Sequence, residues 1–197
     1  MDADHDRSTA APGRLATLGH GLCSGEELAG LLSAAGVRRL VDVRRTPSSR
    51  RNPDANRPAL VAALAAAGIE ATWDEALGGR REPVAGSANV ALADDALADD
   101  ALRGYADHLA HGPGREALDR LAALARAEPT AVLCAEGDWR RCHRRLIADA
   151  LVAVHGLAVV HLRHDGGAEP HALDSQVRAA DGVAVWDRAA DRPLPPG

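Results

Sequence analysis

Two short stretches crowd reactive side chains together: Val41-Asp42-Val43-Arg44-Arg45-Thr46-Pro47-Ser48-Ser49-Arg50-Arg51-Asn52 and Cys134-Ala135-Glu136-Gly137-Asp138-Trp139-Arg140-Arg141-Cys142-His143-Arg144. Each follows a strand-like apolar run, and a third such run, Leu15 to Leu18, ends in Gly19-His20-Gly21. Guanidinium groups grip phosphates and carboxylates in two-pronged hydrogen bonds and cannot serve as bases. The carboxylates, imidazoles and thiols beside them can move protons or attack electrophiles. Arginines around a proton-handling group describe a polar site for an anionic substrate.

The elements that must position these residues follow from periodicity and punctuation. Ser24-Gly25-Glu26-Glu27 has the form of a capping box, so a helix follows the first strand and runs to about Ala35. A second strand covers Leu40 to Val43, a helix opens at Asn56 or Pro58 and runs through Ala67, and Ile69 to Trp73 forms a third strand. A long loop reaches from Gly78-Gly79 to about Val90, and the duplicated Ala91-Leu92-Ala93-Asp94-Asp95 and Ala96-Leu97-Ala98-Asp99-Asp100 reads as an acidic approach to a helix. Helical spacing returns at Leu102 to Leu109 and Arg115 to Ala127. Ala131 to Leu133 is then a buried strand, Arg141 to Val154 a helix and Leu157 to Leu162 a last strand.

Alternating strands and helices with short links predict an α/β fold in three layers, a mostly parallel sheet with helices on both faces. Residues 1–12 read as a flexible leader, 13–163 as a single α/β domain, and 164–197 as a C-terminal extension of weak structural role. Ligands of open parallel sheets bind outside the carboxyl ends of the strands. That rule sets His20, Asp42 with Arg44, and Cys134 with Glu136 on one rim. A helix starting near Arg141 would add its free N–H groups to Arg141, Arg144, Cys142 and His143 as an anion site, His143 also reading as part of the cap.

Composition sets limits. The chain has 197 residues, no Phe and one Tyr, so one core of small and branched aliphatic side chains is expected. All 23 basic residues are arginine and the net charge is −5, which argues against non-specific coating of nucleic acid but allows a local basic face. Three cysteines make no disulfide framework and no signal peptide is evident, which fits a reducing cytoplasm. No apolar run approaches the ~18 residues of a membrane span.

Rival chemistries are visible as well. Arg44, Arg50, Arg51, Arg141 and Arg144 could form ion pairs with Asp42, Glu75 and Glu136 and do nothing more. Cys134 and Arg140 are separated by five residues, the spacing of a cysteine-phosphatase loop, which makes Cys134 the alternative nucleophile. That loop carries Glu136 and Asp138, whose charges oppose a bound phosphate. A zinc site from His20, Cys134, Cys142 and His143 lacks paired short spacings, so no metal and no cofactor is expected.

Taken together, Thr17-Leu18-Gly19-His20, Val41-Asp42-Val43-Arg44 with Pro47 and Ser49-Arg50-Arg51-Asn52-Pro53, Leu77-Gly78-Gly79-Arg80, Tyr105-Ala106-Asp107, Cys134-Ala135-Glu136 and Arg141-Cys142-His143-Arg144 resemble the bacterial family catalogued as domain of unknown function 488. The matches run in family order over about residues 15–163. Ala55 stands where the family often has an aromatic residue, and the loop from Arg81 to Asp99 matches no family pattern. The resemblance implies a three-layer α/β fold and associates the chain with release of 5-hydroxymethyluracil from DNA as a free base.

Such an enzyme extrudes a nucleotide, holds flanking phosphates and orients water while positive charge develops on the sugar. Arg44, Arg50, Arg51, Arg141 and Arg144 suit the phosphates, and Asn52 or Asn56 the base edge. Asp42, Glu136 or His20 suit the chemical step, with Trp139 as the stacking candidate. DNA is then the expected partner and no membrane is involved. The alternatives are a cysteine-dependent phosphatase, a rhodanese-like transfer on a small anion, and a non-enzymatic sensor of anions or nucleic acid.

Overall fold

The computed structural model describes residues 9–90 and 100–187. Its centre is a six-stranded sheet in the order β3-β2-β4-β1-β5-β6, built from β1 (Arg14–Gly19), β2 (Arg39–Asp42), β3 (Glu70–Trp73), β4 (Thr130–Cys134), β5 (Ala158–Leu162) and β6 (Ala168–Pro170). The first five strands are parallel and β6 runs antiparallel to β5. Helices α1 (Gly25–Ala34) and α2 (Arg57–Ala66) cover one face, and α3 (Asp100–Ala110), α4 (Gly112–Ala127) and α5 (Arg144–His155) the other. The expected three-layer α/β fold is the observed one.

Side chains alternate across a strand, so each central strand feeds two cores. Ala16, Leu18, Leu40, Ala131 and Leu133 pack under α1 and α2, whereas Leu15, Val41, Val43, Val132 and Cys134 pack under α3 to α5. Burial on both faces explains why these strands read as unbroken apolar runs. The same parity decides where each rim residue points.

The Ser24 capping box forms in full: the Ser24 hydroxyl accepts from Glu27 N and the Glu27 carboxylate accepts from Ser24 N. Other boundaries shift by a residue or two, and one shift matters for the site. α5 starts at Arg144 rather than near Arg141, because Trp139–Arg141 forms a 3-10 turn whose last N–H groups are spent on Asp138 O and Trp139 O. The expected anion-binding helix end at Arg141 is therefore not there.

The segment after His164 has a larger part than its composition suggests. β6 extends the sheet, and a hairpin of β7 (Val177–Ala180) and β8 (Val183–Trp186) packs on α3 and α5 with Trp186 fully buried in the core. Short strands separated by Gly and Asp carry little periodic signal, which is why sequence reading passes over them. Of the expected leader, residues 1–8 lie outside the described residues, while Ala10 is buried and its N–H donates to Ala35 O at 2.8 Å. The duplicated acidic segment, apart from Asp100 at the start of α3, also lies outside them. No helix among the described residues is long and apolar enough to cross a membrane.

Candidate functional site

The carboxyl ends of β1, β2, β4 and β5 form one rim. His20 follows β1, Asp42 ends β2 with Arg44 just beyond, and Cys134 ends β4. His20 N–H donates to Cys134 O at 2.8 Å and Val43 N–H to Leu133 O at 2.9 Å, so the ladder continues past the strands and holds the three ends in register. Gly19 is required at this crossing: a Cβ there would lie 1.8 Å from the Glu136 carbonyl oxygen.

Asp42, Arg44 and His20 share the parity of Leu40 and Leu18 and so lie toward α1 and α2. Arg44 Nε donates to Asp42 Oδ1 at 2.8 Å, its Nη2 to Asp42 Oδ2 at 2.5 Å, and its Nη1 to Ala55 O at 2.8 Å. Both residues are buried. Asp42 also caps Arg44 N at 3.1 Å. This is an ion pair closed on itself, and it braces the arginine loop against Ala55 instead of presenting a charge to a ligand.

His20 is buried, and one of its ring nitrogens lacks a hydrogen-bond partner among the described residues. Gly21 O can only accept, so its 2.9 Å contact with Nδ1 places the proton on that nitrogen and leaves Nε2 as a bare acceptor. Among the described residues Nε2 has no partner. Burial lowers the His20 pKa, the hydrogen bond to Gly21 opposing and the Arg44 charge assisting, so the ring is neutral at neutral pH.

Several expected ligand-binding residues turn out to hold the frame. The Asn52 amide donates to Cys23 O at 2.7 Å and Gly21 O at 3.3 Å, clamping the loop after His20, and Asn56 Oδ1 accepts from Ser49 N at 2.7 Å. Arg144 is buried, with Nη1 on Thr17 Oγ1 at 3.2 Å and Nη2 on the carbonyls of Glu136 and Gly137. Trp139 is stacked on His161, ring centroids 3.8 Å apart and planes 9° from parallel. Glu136 is exposed and its carboxylate accepts from Asp138 N at 3.2 Å. Arg50, Arg51 and Arg141 are exposed and form no ion pair among the described residues.

Cys134 and Cys142 meet on the opposite side of the sheet, beneath α3 to α5. Their sulfurs are 3.1 Å apart, and His143 Nδ1 lies 3.7 Å from Cys134 Sγ and 3.6 Å from Cys142 Sγ. Hydrogen bonding with Cys134, aided by His143, pulls the Cys142 thiol well below its ordinary pKa against its burial. The same contact and burial push Cys134 well up, so the thiol read as the alternative nucleophile is the one that keeps its proton. His20 stands apart from this trio, its ring committed to Gly21.

Sequence reading missed a buried polar chain beside the rim. An arginine only donates, so Arg144 Nη1 gives a hydrogen bond to Thr17 Oγ1, and Thr17 in turn gives its own to His161 Nδ1 at 2.7 Å. His161 Nε2 then donates to His171 Nδ1 at 3.0 Å and His171 Nε2 to Asp149 Oδ1 at 2.9 Å. Burial first, then the neighbouring His171, Arg144 and Arg140, lowers the His161 pKa to about 3. Beyond β5, a cleft of about 350 Å³ opens between the β4–α5 loop and β6, lined among others by Trp139, Arg140, His164 and Glu169.

The histidine, the arginine-rich loop and the thiol pair stand at the carboxyl ends of the strands of a three-layer α/β sheet, the edge at which open parallel sheets place their ligands. Residues 24–151 match the family described as Domain of unknown function DUF488, and the chain belongs to that family. Neither the curated proteins nor the solved structures contain a match.

Proposed function

We propose that this protein is a nucleic-acid-directed hydrolase that releases a modified pyrimidine, of the 5-hydroxymethyluracil type, from DNA. The observation that carries the reading is the bare, buried Nε2 of His20 at the sheet rim. In this reading Nε2 accepts a hydrogen bond from the water that attacks the sugar C1′ as its bond to the base breaks. Arg50, Arg51 and Arg141, exposed and without ion pairs among the described residues, leave the rim from adjacent strands and suit flanking phosphates.

Leu22 adds support. It is 81 % exposed, two residues from His20, on the loop pinned by the Asn52 amide. An apolar side chain held out this way suits insertion into a base stack when a nucleotide is turned out.

Phosphatase-type chemistry at Cys134 has less support. The Asp138 and Arg140 N–H groups of its loop, which a phosphate would need, are taken by the Glu136 and Asp138 carboxylates at 3.2 and 3.0 Å. The reading is tested by incubating the protein with duplexes carrying thymine or 5-hydroxymethyluracil and measuring freed base by mass spectrometry. Release from the modified duplex alone is expected, with Leu22→Ala slower than wild type; an unchanged modified duplex after long incubation refutes it.

A further inference from the structure

Cys134 Sγ, Cys142 Sγ and His143 Nδ1 lie within 4.8 Å of one another and are the atoms through which these residue types bind soft divalent metals. A tetrahedral zinc with sulfur at about 2.3 Å and nitrogen at about 2.0 Å sets each S···N pair roughly 3.6 Å apart and the S···S pair roughly 3.8 Å apart. The two S···N distances, 3.6 and 3.7 Å, already have that spacing. The sulfurs, at 3.1 Å, must part by roughly 0.7 Å, a small rotation about their Cα–Cβ bonds.

The imidazole is set for this role. His143 Nε2 lies 3.1 Å from Val43 O, which can only accept, so the proton is on Nε2 and Nδ1 faces both sulfurs as a lone pair. A ligand histidine whose far N–H is held by a backbone carbonyl is the arrangement that fixes tautomer and ring direction at metal centres. Tyr105 meets the ring edge-on at 5.0 Å and is itself tied to Leu77 O. Gly79 leaves space on the ring, since a Cβ there would lie 2.8 Å from Nδ1. Leu77, Gly79 and Tyr105 thereby acquire a common purpose, seating His143. A dithiol used only for disulfide exchange requires no lone pair aimed at both sulfurs.

We propose that Cys134, Cys142 and His143 bind one thiophilic divalent cation of the zinc class. Three protein ligands leave a fourth tetrahedral position open, the donor count of sites that admit water or a substrate atom. Two thiolates balance the charge of the ion. This goes beyond the function proposed above, which routes no step through a metal.

The test uses the full chain with Co²⁺ and Zn²⁺. One Co²⁺ per chain is expected, with tetrahedral visible bands and a sulfur-to-cobalt charge-transfer absorption. Zn²⁺ should shield two of the three cysteines from a thiol reagent until a chelator is added. Cys142→Ser and His143→Gln should weaken Co²⁺ binding by more than the ~10–100-fold typical of losing an outer partner, whereas Cys23→Ser should leave it unchanged. If a variant fails to fold, the shielding measured on the wild-type chain decides. Co²⁺ bound without a charge-transfer band, no stoichiometric binding, or thiol reactivity indifferent to Zn²⁺ would overturn the proposal.

Discussion

Asp42–Arg44 and the Cys134–Cys142–His143 trio sit at the ends of neighbouring strands, β2 and β4, and face opposite sides of one sheet. In the first, acid and base satisfy each other: both Asp42 oxygens are engaged, and Arg44 spends its remaining prong on Ala55 O. In the second, two sulfurs and a lone pair meet only through the weaker hydrogen bonds that sulfur makes, at 3.1 to 3.7 Å, with no charge-assisted pair among them. Residue types alone would rank the Asp–Arg pair as the reactive one. Geometry reverses that order, because a buried charge with every partner in place is frame, while a buried acceptor without a partner is kept for something else. His20 Nε2 meets the second description, beside a pair that meets the first.

The largest effect is expected from breaking the closed pair. Arg44→Met leaves Asp42 buried and unpaired and should destabilise the fold by about 3–5 kcal/mol in urea unfolding, with Asp42→Leu added to it recovering much of the loss. A loss below about 1 kcal/mol, the level of an exposed pair, would show that Asp42–Arg44 does not brace the fold.

Next in size is the chain from Arg144 through Thr17, His161 and His171 to Asp149. Asp149→Asn removes its charged acceptor and should cost about 1–3 kcal/mol. The pH dependence has a definite sign. His161 titrates near 6.5 when unfolded and at about 3 in the fold, so only the unfolded chain gains this proton between those values. Stability should therefore be fully present above pH 6.5 and fall as the pH drops toward 3, by up to roughly 1.4 kcal/mol per unit. The groups facing His161 are His171, Arg144 and Arg140, with Asp149 one bond beyond, and His161→Gln should flatten the slope.

Smaller still, Ser24→Ala removes the α1 cap for about 1 kcal/mol without touching the rim, a baseline for a purely structural loss. Arg50→Ala, Arg51→Ala and Arg141→Ala should change stability by less than about 0.5 kcal/mol. Each should lower the salt dependence of duplex binding by about 0.9 in the logarithmic slope if it contacts a phosphate. Slopes identical to wild type would leave these arginines as solvated surface.

Local features of the fold were legible and long-range ones were not. Ser24 and Glu27 lie three residues apart and announce the start of α1, and strand parity is readable wherever apolar runs are unbroken. Asp42 and Arg44, two apart at a strand end, share a face for the same reason, so their pairing was foreseeable. Thr17 and His161 are 144 residues apart, and nothing local marks them as partners. The start of α5 is not legible because Arg141, Cys142 and His143 have ordinary helix-compatible side chains, while the backbone makes a 3-10 turn over Trp139–Arg141 and begins α5 only at Arg144. The trio is set aside in the sequence for a related reason: Cys134 and Cys142 are too far apart in the chain for a short-spacing motif, and only the return of that loop brings His143, without His20, to both sulfurs.

The proposed function turns on His20. The most direct measurement is base release from a 5-hydroxymethyluracil duplex by wild type and by His20→Asn, with thermal unfolding of both in parallel. Wild-type release, reduced about 10²–10⁴-fold in a variant that unfolds normally, is the predicted result. Release by His20→Asn at the wild-type rate would contradict it.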